Sequence, residues 1–320
     1  MRSKRLVILS LLVLAGLIAV PYGVSHYRLA RAEAANPPEG QFVEVEGRQV
    51  HYVEKGDGPP IVLIHGAFGS LRDFTFDLMD RLAETHRVIA FDRPGLGYSD
   101  ALYDDAFSSR AESPADQARI LAAAAEKLGA ENPIVLGHSF GGIVAMAWAL
   151  DHDPAAVVMV AGVALPWPGD LGWIYRVNGT VFGGGLIAPA LTGFTPEARI
   201  NAGVHSTFLP GPMPDGYDTH IGTYMPLRLP IFRANARQVN WLRPHVVEME
   251  KRYGDLTMPI EIVHGSADET VPIRVHSGPM SERYDNVTLT IVDGAGHMPH
   301  HSHPDAVVAA VARATQRAGF

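Results

Sequence analysis

Residues 133–142 read PIVLGHSFGG. A short apolar run, Ile134-Val135-Leu136, stops at Gly137, and a serine follows at 139 between Gly137 and Gly141. A small-residue apolar helix pattern then runs from Gly142 to about Leu150. This is a G-x-S-x-G elbow in a strand-then-helix setting, a turn that lifts the serine hydroxyl clear of the backbone. The turn forces the serine into strained dihedrals, and a Cβ at either flanking glycine would collide with the neighbouring strand or helix. A serine presented this way implies nucleophilic chemistry, which needs a base and an orienting acid from elsewhere in the chain.

Both partners are placeable downstream, in the order acid then histidine that accompanies this elbow. Residues 259–264 form a buried-strand pattern followed by Gly265-Ser266-Ala267-Asp268-Glu269 and then Val271-Pro272. Residues 287–292 alternate like a strand and lead into Asp293-Gly294-Ala295-Gly296-His297. Asp268 and His297 thus sit in loops beyond strand ends, where open α/β sheets place their chemistry.

With these residues in view, the chain resembles the α/β-hydrolase superfamily, in its cap-bearing serine esterase and lipase-like branch, over about residues 42–316. The matching motifs are HGAFGS at 65–70, DRPGLGYS at 92–99, GHSFGG at 137–142, GSADETVP at 265–272 and GAGHMPH at 294–300. The resemblance implies Ser139 as nucleophile, His297 as general base and Asp268 as the acid that orients the imidazole. It also implies an oxyanion hole of two backbone N–H groups, one from Phe140 and one from Ala67, with Phe68 as the near alternative. Glu269 is the weaker candidate for the acid, and no carboxylate nearer than Asp170 follows the strand at 157–162. Dehalogenase and epoxide-hydrolase relatives use an aspartate nucleophile, which serine at 139 excludes.

Other polar residues have structural readings. Asp92 precedes the serine and suits a turn-stabilising role. His65 and His138 flank the oxyanion and nucleophile loops and are expected to hold them by hydrogen bonds. His300, His301 and His303 read as helix-start and surface histidines. No cysteine and no H-E-x-x-H spacing joins them, so neither metal nor cofactor is expected. Gly183-Gly184-Gly185 lacks the following Lys-Ser/Thr of a phosphate loop.

The 320 residues, 47% of them hydrophobic, can bury one large core with an insertion. A formal net charge of −8 with scattered basic residues argues against nucleic acid as a partner. The absence of cysteine excludes disulfides and a thiol nucleophile, but suits oxidising and reducing compartments alike.

Arg2, Lys4 and Arg5 precede an apolar run of 15 residues from Leu6 to Val20, or 19 if extended to Val24. That length borders on a membrane span. Ala32-Glu33-Ala34 has the form of a cleavage site but lies well beyond the apolar core. Residues 1–24 are therefore expected as a signal-anchor in the lipid bilayer, with a cleaved signal peptide as the alternative. The basic start would stay cytoplasmic and leave the catalytic domain extracytoplasmic, or secreted or periplasmic after cleavage. Residues 25–41, with Asn36-Pro37-Pro38, read as a linker.

Beyond it, strands are expected at 41–46, 49–54, 60–64, 87–91 and 156–162, and helices at 72–84 and 113–128. The alternation predicts a doubly wound, mostly parallel α/β sheet covered on both faces. Residues 165–245 break the rhythm with Pro, Gly and many aromatics. A stretch this long needs a purpose of its own, and by resemblance it is a helical cap over the serine, between core segments 42–164 and 246–320. The expected activity is hydrolysis of small to medium apolar carboxylic esters through an acyl-enzyme. Lactone opening, amide or C–C bond hydrolysis and cofactor-free perhydrolysis would use the same triad, and a non-catalytic binding protein is the reading from another class.

Overall fold

The computed structural model describes residues 2–103, 109–169 and 172–320, so Asp170 lies outside the described residues. Eight strands form one sheet: β1 (Gln41–Val45), β2 (Arg48–Lys55), β3 (Pro60–Ile64), β4 (Arg87–Phe91), β5 (Ile134–His138), β6 (Ala156–Val160), β7 (Ile260–Gly265) and β8 (Val287–Val292). Their order is β1-β2-β4-β3-β5-β6-β7-β8. The first two joins are antiparallel and the rest parallel. The β1–β2 hairpin closes through Glu46 and Gly47, both at positive φ (52° and 73°), the two-residue turn whose twist matches paired strands.

The strands β3 and β6 are apolar throughout because both faces are covered. Val62 and Ile64 of β3 enter one core with Val135, Ile143 and Ile262, whereas Ile61 and Leu63 enter the other with Leu136, Val263 and Val311. Alternate side chains of a strand must point to opposite faces, so a strand buried on both sides has no polar phase. The helix Pro114–Lys127 starts on a reciprocal capping box between Ser113 and Asp116, with Pro114 in its first turn.

Two expectations are corrected. The helix foreseen at 72–84 is two short ones, Arg72–Thr75 and Leu78–Leu82, because Asp77 leaves helical dihedrals at φ −154°. The linker foreseen at 25–41 is helical to Ala35, part of one 34-residue helix, Arg2–Ala35. Its second half is held by packing that no local signal announces. The Tyr22 hydroxyl donates to the Gly185 carbonyl at 2.9 Å, and Ser25 pairs with Thr192 at 2.7 Å. Glu33 pairs with Arg228 at 2.9 Å. From Lys4 this helix is long and apolar enough to cross a membrane. Between β6 and β7 the described elements are all helical, from Trp173–Asn178 to the short turn Tyr253–Asp255.

Candidate active site

Ser139 follows β5 directly and caps the helix Phe140–Asp151, at φ 53° and ψ −117°. Its N–H donates to the Val160 carbonyl of β6 at 3.0 Å, which pins the turn to the sheet. A Cβ on Gly137 would lie 2.1 Å from the Gly141 carbonyl oxygen, and one on Gly141 would lie 2.0 Å from that of Ile64. Backbone cannot yield by so much, so both positions require glycine.

The structure brings Ser139, His297 and Asp268 into one line. His297 Nε2 lies 2.9 Å from Ser139 Oγ, and His297 Nδ1 lies 2.7 Å from Asp268 Oδ2. The other carboxylate oxygen accepts the N–H groups of Thr270 and Val271 at 2.8 and 2.9 Å. His264 Nε2 stands 3.2 Å from Oδ2. Burial opposes the charge on Asp268, yet the hydrogen bonds from His264 and His297 outweigh it and hold the carboxyl well below the usual carboxylate range. A charged acceptor at Nδ1 requires the proton there, which leaves Nε2 free to accept from the serine hydroxyl. Glu269, the weaker candidate, is exposed.

Gly66 packs against the elbow, for a Cβ there would lie 3.1 Å from the Ser139 Cβ. Past it, Phe68 sits at φ 55° and its N–H donates to the Asn235 side-chain oxygen at 2.8 Å. Among the described residues the Ala67 N–H makes no hydrogen bond. Ala67 and Phe68 line the cavity with Ser139 and His297.

The histidines beside the elbow hold loops, as expected. His65 Nε2 accepts the Arg93 N–H at 3.0 Å while Nδ1 donates to the Gly66 carbonyl at 2.9 Å. Burial and the Arg93 charge lower its pKa to about 4. His138 Nε2 donates to the His297 carbonyl at 3.1 Å. Asp92 accepts N–H groups from Leu71 and Tyr98 and pairs with His51, a loop-fixing role.

His300 and His301 depart from the surface reading. Both side chains are buried, and their Nε2 atoms reach the two oxygens of Asp73 at 3.1 and 2.8 Å. The Tyr217 hydroxyl adds a third donor at 2.7 Å. A buried carboxylate needs such partners, and this one draws the short helix Pro299–Ser302 inward. Burial opposes its charge, but His300 and His301 hold Asp73 well below the ordinary range. Asp73, His300 and His301 offer three metal-type ligand atoms within 4.8 Å of one another, and the two imidazoles already satisfy the carboxylate directly. His303 is exposed, as expected.

Three contributors escaped sequence reasoning. Asn235 comes from the insertion. Buried Arg93 donates to Gln117, Gln238 and the Gly66 carbonyl, and lies 4.3 Å over the Phe140 ring, bracing both sides of the elbow. Burial lowers its pKa to about 9. Arg228 joins the cavity wall to the N-terminal helix through Glu33. Only the R of DRPG stood in a motif that could have flagged one of them.

Above Ser139 lies a cavity of about 440 Å³ with a mainly apolar wall that includes Ile174, Val204, Ile221, Met225, Leu227 and Phe232. All six come from the helical insertion.

A mostly parallel sheet with a serine elbow at its centre, and an acid and a histidine on later strand-end loops, defines a class. The chain belongs to the alpha/beta hydrolase fold family, whose model matches residues 59–304. It is 27% identical over 282 residues to an uncharacterized Mycobacterium tuberculosis protein, covering 84% of this chain and 78% of that one. An alpha/beta hydrolase fold protein from Burkholderia ambifaria superposes with a TM-score of 0.68 at 27% identity, over 85% of this chain and 96% of the other. A bacterial membrane phospholipase A superposes with a TM-score of 0.60 at 19% identity, over 100% of both chains.

Proposed function

We propose that this chain is a serine hydrolase that cleaves small to medium apolar carboxylic esters through an acyl-enzyme intermediate. The observation that carries the reading is the hydrogen-bonded line Ser139–His297–Asp268 beneath an apolar cavity. Ser139 Oγ attacks the ester carbonyl while His297 Nε2 takes its proton. The tetrahedral intermediate collapses as that proton passes to the leaving alkoxide oxygen. A water then gives its proton to His297 and attacks the acyl carbon, and the collapse returns the proton to Ser139 and releases the acid. Asp268 keeps the proton on Nδ1 and stabilises the imidazolium.

The Ala67 and Phe140 N–H groups are assigned to the oxyanion. Ala67 is favoured over Phe68 because the Phe68 N–H is already committed to Asn235. Two such donors are each typically worth about 3–4 kcal/mol of barrier. The insertion 165–245 acts as a cap, and its aliphatic wall suits an acyl chain.

The N-terminal helix is assigned as an uncleaved anchor, with its basic start cytoplasmic and the hydrolase domain extracytoplasmic. Cleavage at Ala32-Glu33-Ala34 would remove the buried Ser25 and Ala32 and the Glu33 partner of Arg228, which favours retention.

The test uses the full-length chain in detergent, because residues 22–35 pack on the domain. It is assayed on p-nitrophenyl esters of graded acyl length beside Ser139→Ala. Turnover should vanish in the variant. Equal turnover would remove Ser139 from its role. No turnover on any ester, with no labelling by a fluorophosphonate, would instead indicate a non-catalytic binding protein.

A further inference from the structure

The stretch 179–196, GTVFGGGLIAPALTGFTP, carries no charged residue, in a chain with 26 Lys and Arg and 34 Asp and Glu. It folds as a π-helical turn, Gly183–Ile187, running into the helix Ala188–Phe194. One side of it lies against the N-terminal helix. Tyr22 reaches the Gly185 carbonyl, Ser25 pairs with Thr192, and Arg28 donates to the Thr195 carbonyl at 2.7 Å. The approach is close enough that a Cβ on Gly193 would meet the Pro21 carbonyl oxygen at 3.2 Å. The other side is open: Phe182, Leu186, Ile187 and Phe194 are 81, 55, 40 and 53% exposed.

Depth along the helix says what covers them. At about 1.5 Å per residue, the run from Leu6 to Val24 spans on the order of 28 Å, close to the ~30 Å hydrocarbon thickness of a bilayer. A span beginning after Arg5 therefore reaches the far boundary near Val24. Pro21, Tyr22 and Ser25, the residues that touch Gly185, Thr192 and Gly193, lie at that boundary. The rings and aliphatic chains beside them would otherwise face water as an apolar patch continuous with the spanning helix.

We propose that segment 182–194 is a second membrane contact. It would lie in the plane of the leaflet's interface beside the point where the N-terminal helix leaves the bilayer, with Phe182, Leu186, Ile187 and Phe194 in the acyl boundary. The occupant of this face is lipid, because the face is uncharged, level with the boundary and joined to the anchor by three hydrogen bonds, of which the Ser25–Thr192 pair is buried. The docked edge adjoins the cavity. Tyr22, Ala188 and Leu191 share one apolar cluster with Ile174, Leu227 and Phe232, three of the cavity-wall residues. Given the ester-hydrolase reading on which this step rests, apolar esters dissolved in the leaflet reach Ser139 without a long passage through water.

The cysteine-free chain allows a direct test with single-cysteine variants of the full-length protein in nanodiscs, each carrying an environment-sensitive NBD label. Leu12→Cys reports the anchor. Phe182→Cys, Leu186→Cys and Phe194→Cys report the proposed face. Ile291→Cys, 57% exposed on β8 at the far edge of the sheet, is the aqueous control. Labels at 182, 186 and 194 should shift to blue emission and be quenched by shallow doxyl-phosphatidylcholine, while 291 stays accessible to aqueous iodide. If position 12 is in the bilayer and the three sites behave like 291, the proposal is overturned. A label at 12 that stays aqueous would overturn it through the anchor. Burial only in discs holding two copies would mean a second copy of the chain covers the face.

The labelling needs no turnover, so it separates docking from the hydrolase reading. If the enzyme is active, Phe182→Asp with Phe194→Asp should leave hydrolysis of water-soluble p-nitrophenyl acetate unchanged. It should lower hydrolysis of a long-chain ester dissolved in the bilayer severalfold, and equal losses on both substrates would count against the docking.

Discussion

The Phe68 N–H donates to the Asn235 side-chain oxygen at 2.8 Å across 167 positions of sequence. One partner lies in the loop that follows His65-Gly66, the other on the insertion helix Leu229–Asn240. This bond holds Phe68 in the left-handed region at φ 55°, a conformation that costs a non-glycine residue roughly 1 kcal/mol or more. The helical insertion therefore does more than roof the serine. It fixes the backbone of the loop whose Ala67 N–H we assign to the oxyanion.

Asn235→Ala should relax that loop. The lost bond is worth about 1 kcal/mol of stability, so the melting temperature should fall by only a few degrees. Activity should fall more, roughly 10-fold in kcat with KM nearly unchanged, because the displaced donor acts on the transition state. A rise in KM at constant kcat would show that the loop only positions substrate.

Asp268→Asn keeps the shape of the acid while removing its charge. The asparagine cannot enforce the Nδ1 proton on His297, so kcat on p-nitrophenyl butyrate should drop on the order of 10³–10⁴-fold. The Thr270 and Val271 N–H groups retain an oxygen acceptor, which should leave the fold intact by circular dichroism. Loss of less than 10-fold would move the acid role elsewhere, with Glu269 the first place to look.

Glu33→Ala leaves Arg228, which is 4% exposed, with its bonds to the Met225 and Gly97 carbonyls and its stacking over Tyr98 but without a carboxylate. Glu33 is itself 41% exposed, so solvent screening limits the loss to about 1 kcal/mol. Removing residues 2–35 altogether also strips Tyr22, Ser25 and Arg28 from the insertion and should lower stability by several times that amount. Differential scanning fluorimetry in detergent compares the two, and equal melting temperatures for full-length and truncated chains would refute the coupling.

Stability should fall in mild acid. Burial, ahead of any neighbouring charge, lowers His65, His276 and His300 to about 4 in the folded protein, against about 6.5 in the unfolded chain. Between those values the unfolded chain binds more protons, so the contribution is complete above pH 6.5 and is lost as pH falls toward 4. Each of the three adds up to about 1.4 kcal/mol per pH unit inside that window. The geometry agrees, since His65 Nε2 and His276 Nδ1 accept backbone N–H groups and cannot do so when protonated. Asp73 and Asp268 lie below the ordinary range, so their contributions persist to lower pH. Melting temperatures that stay level from pH 7 to 4.5 would contradict these assignments.

The parts legible in the sequence were those governed by local rules. The period-2 and unbroken apolar runs marked the strands, because a buried strand leaves no polar phase. The glycines of the elbow are dictated by contacts within a few residues, the Gly137 position against Gly141 above all. The order of Ser139, Asp268 and His297 could be read because each follows a strand end, and parallel strands deliver their ends to one edge of the sheet.

What required the fold was every pairing between distant segments with no periodic signature. Nothing local distinguishes His300 and His301 from surface histidines until Asp73 arrives from 227 and 228 positions away. Asn235, Arg93 and Arg228 look like ordinary polar residues on helices and loops until burial supplies their partners. The helix through residues 25–35 has no local signature, since its mixed composition and the Asn-Pro-Pro that follows it suit a linker. It stays helical and fixed because the uncharged segment 179–196 lies alongside it and takes up its hydroxyls and guanidinium. Sequence alone thus determined the sheet, the elbow and the order of Ser139, Asp268 and His297 on strand-end loops, which follow from short-range sterics and periodicity. Tertiary structure alone decided how the N-terminal helix, the insertion and the loop beside Ser139 are joined, because those joins rest on hydrogen bonds whose two halves are specified far apart in the chain.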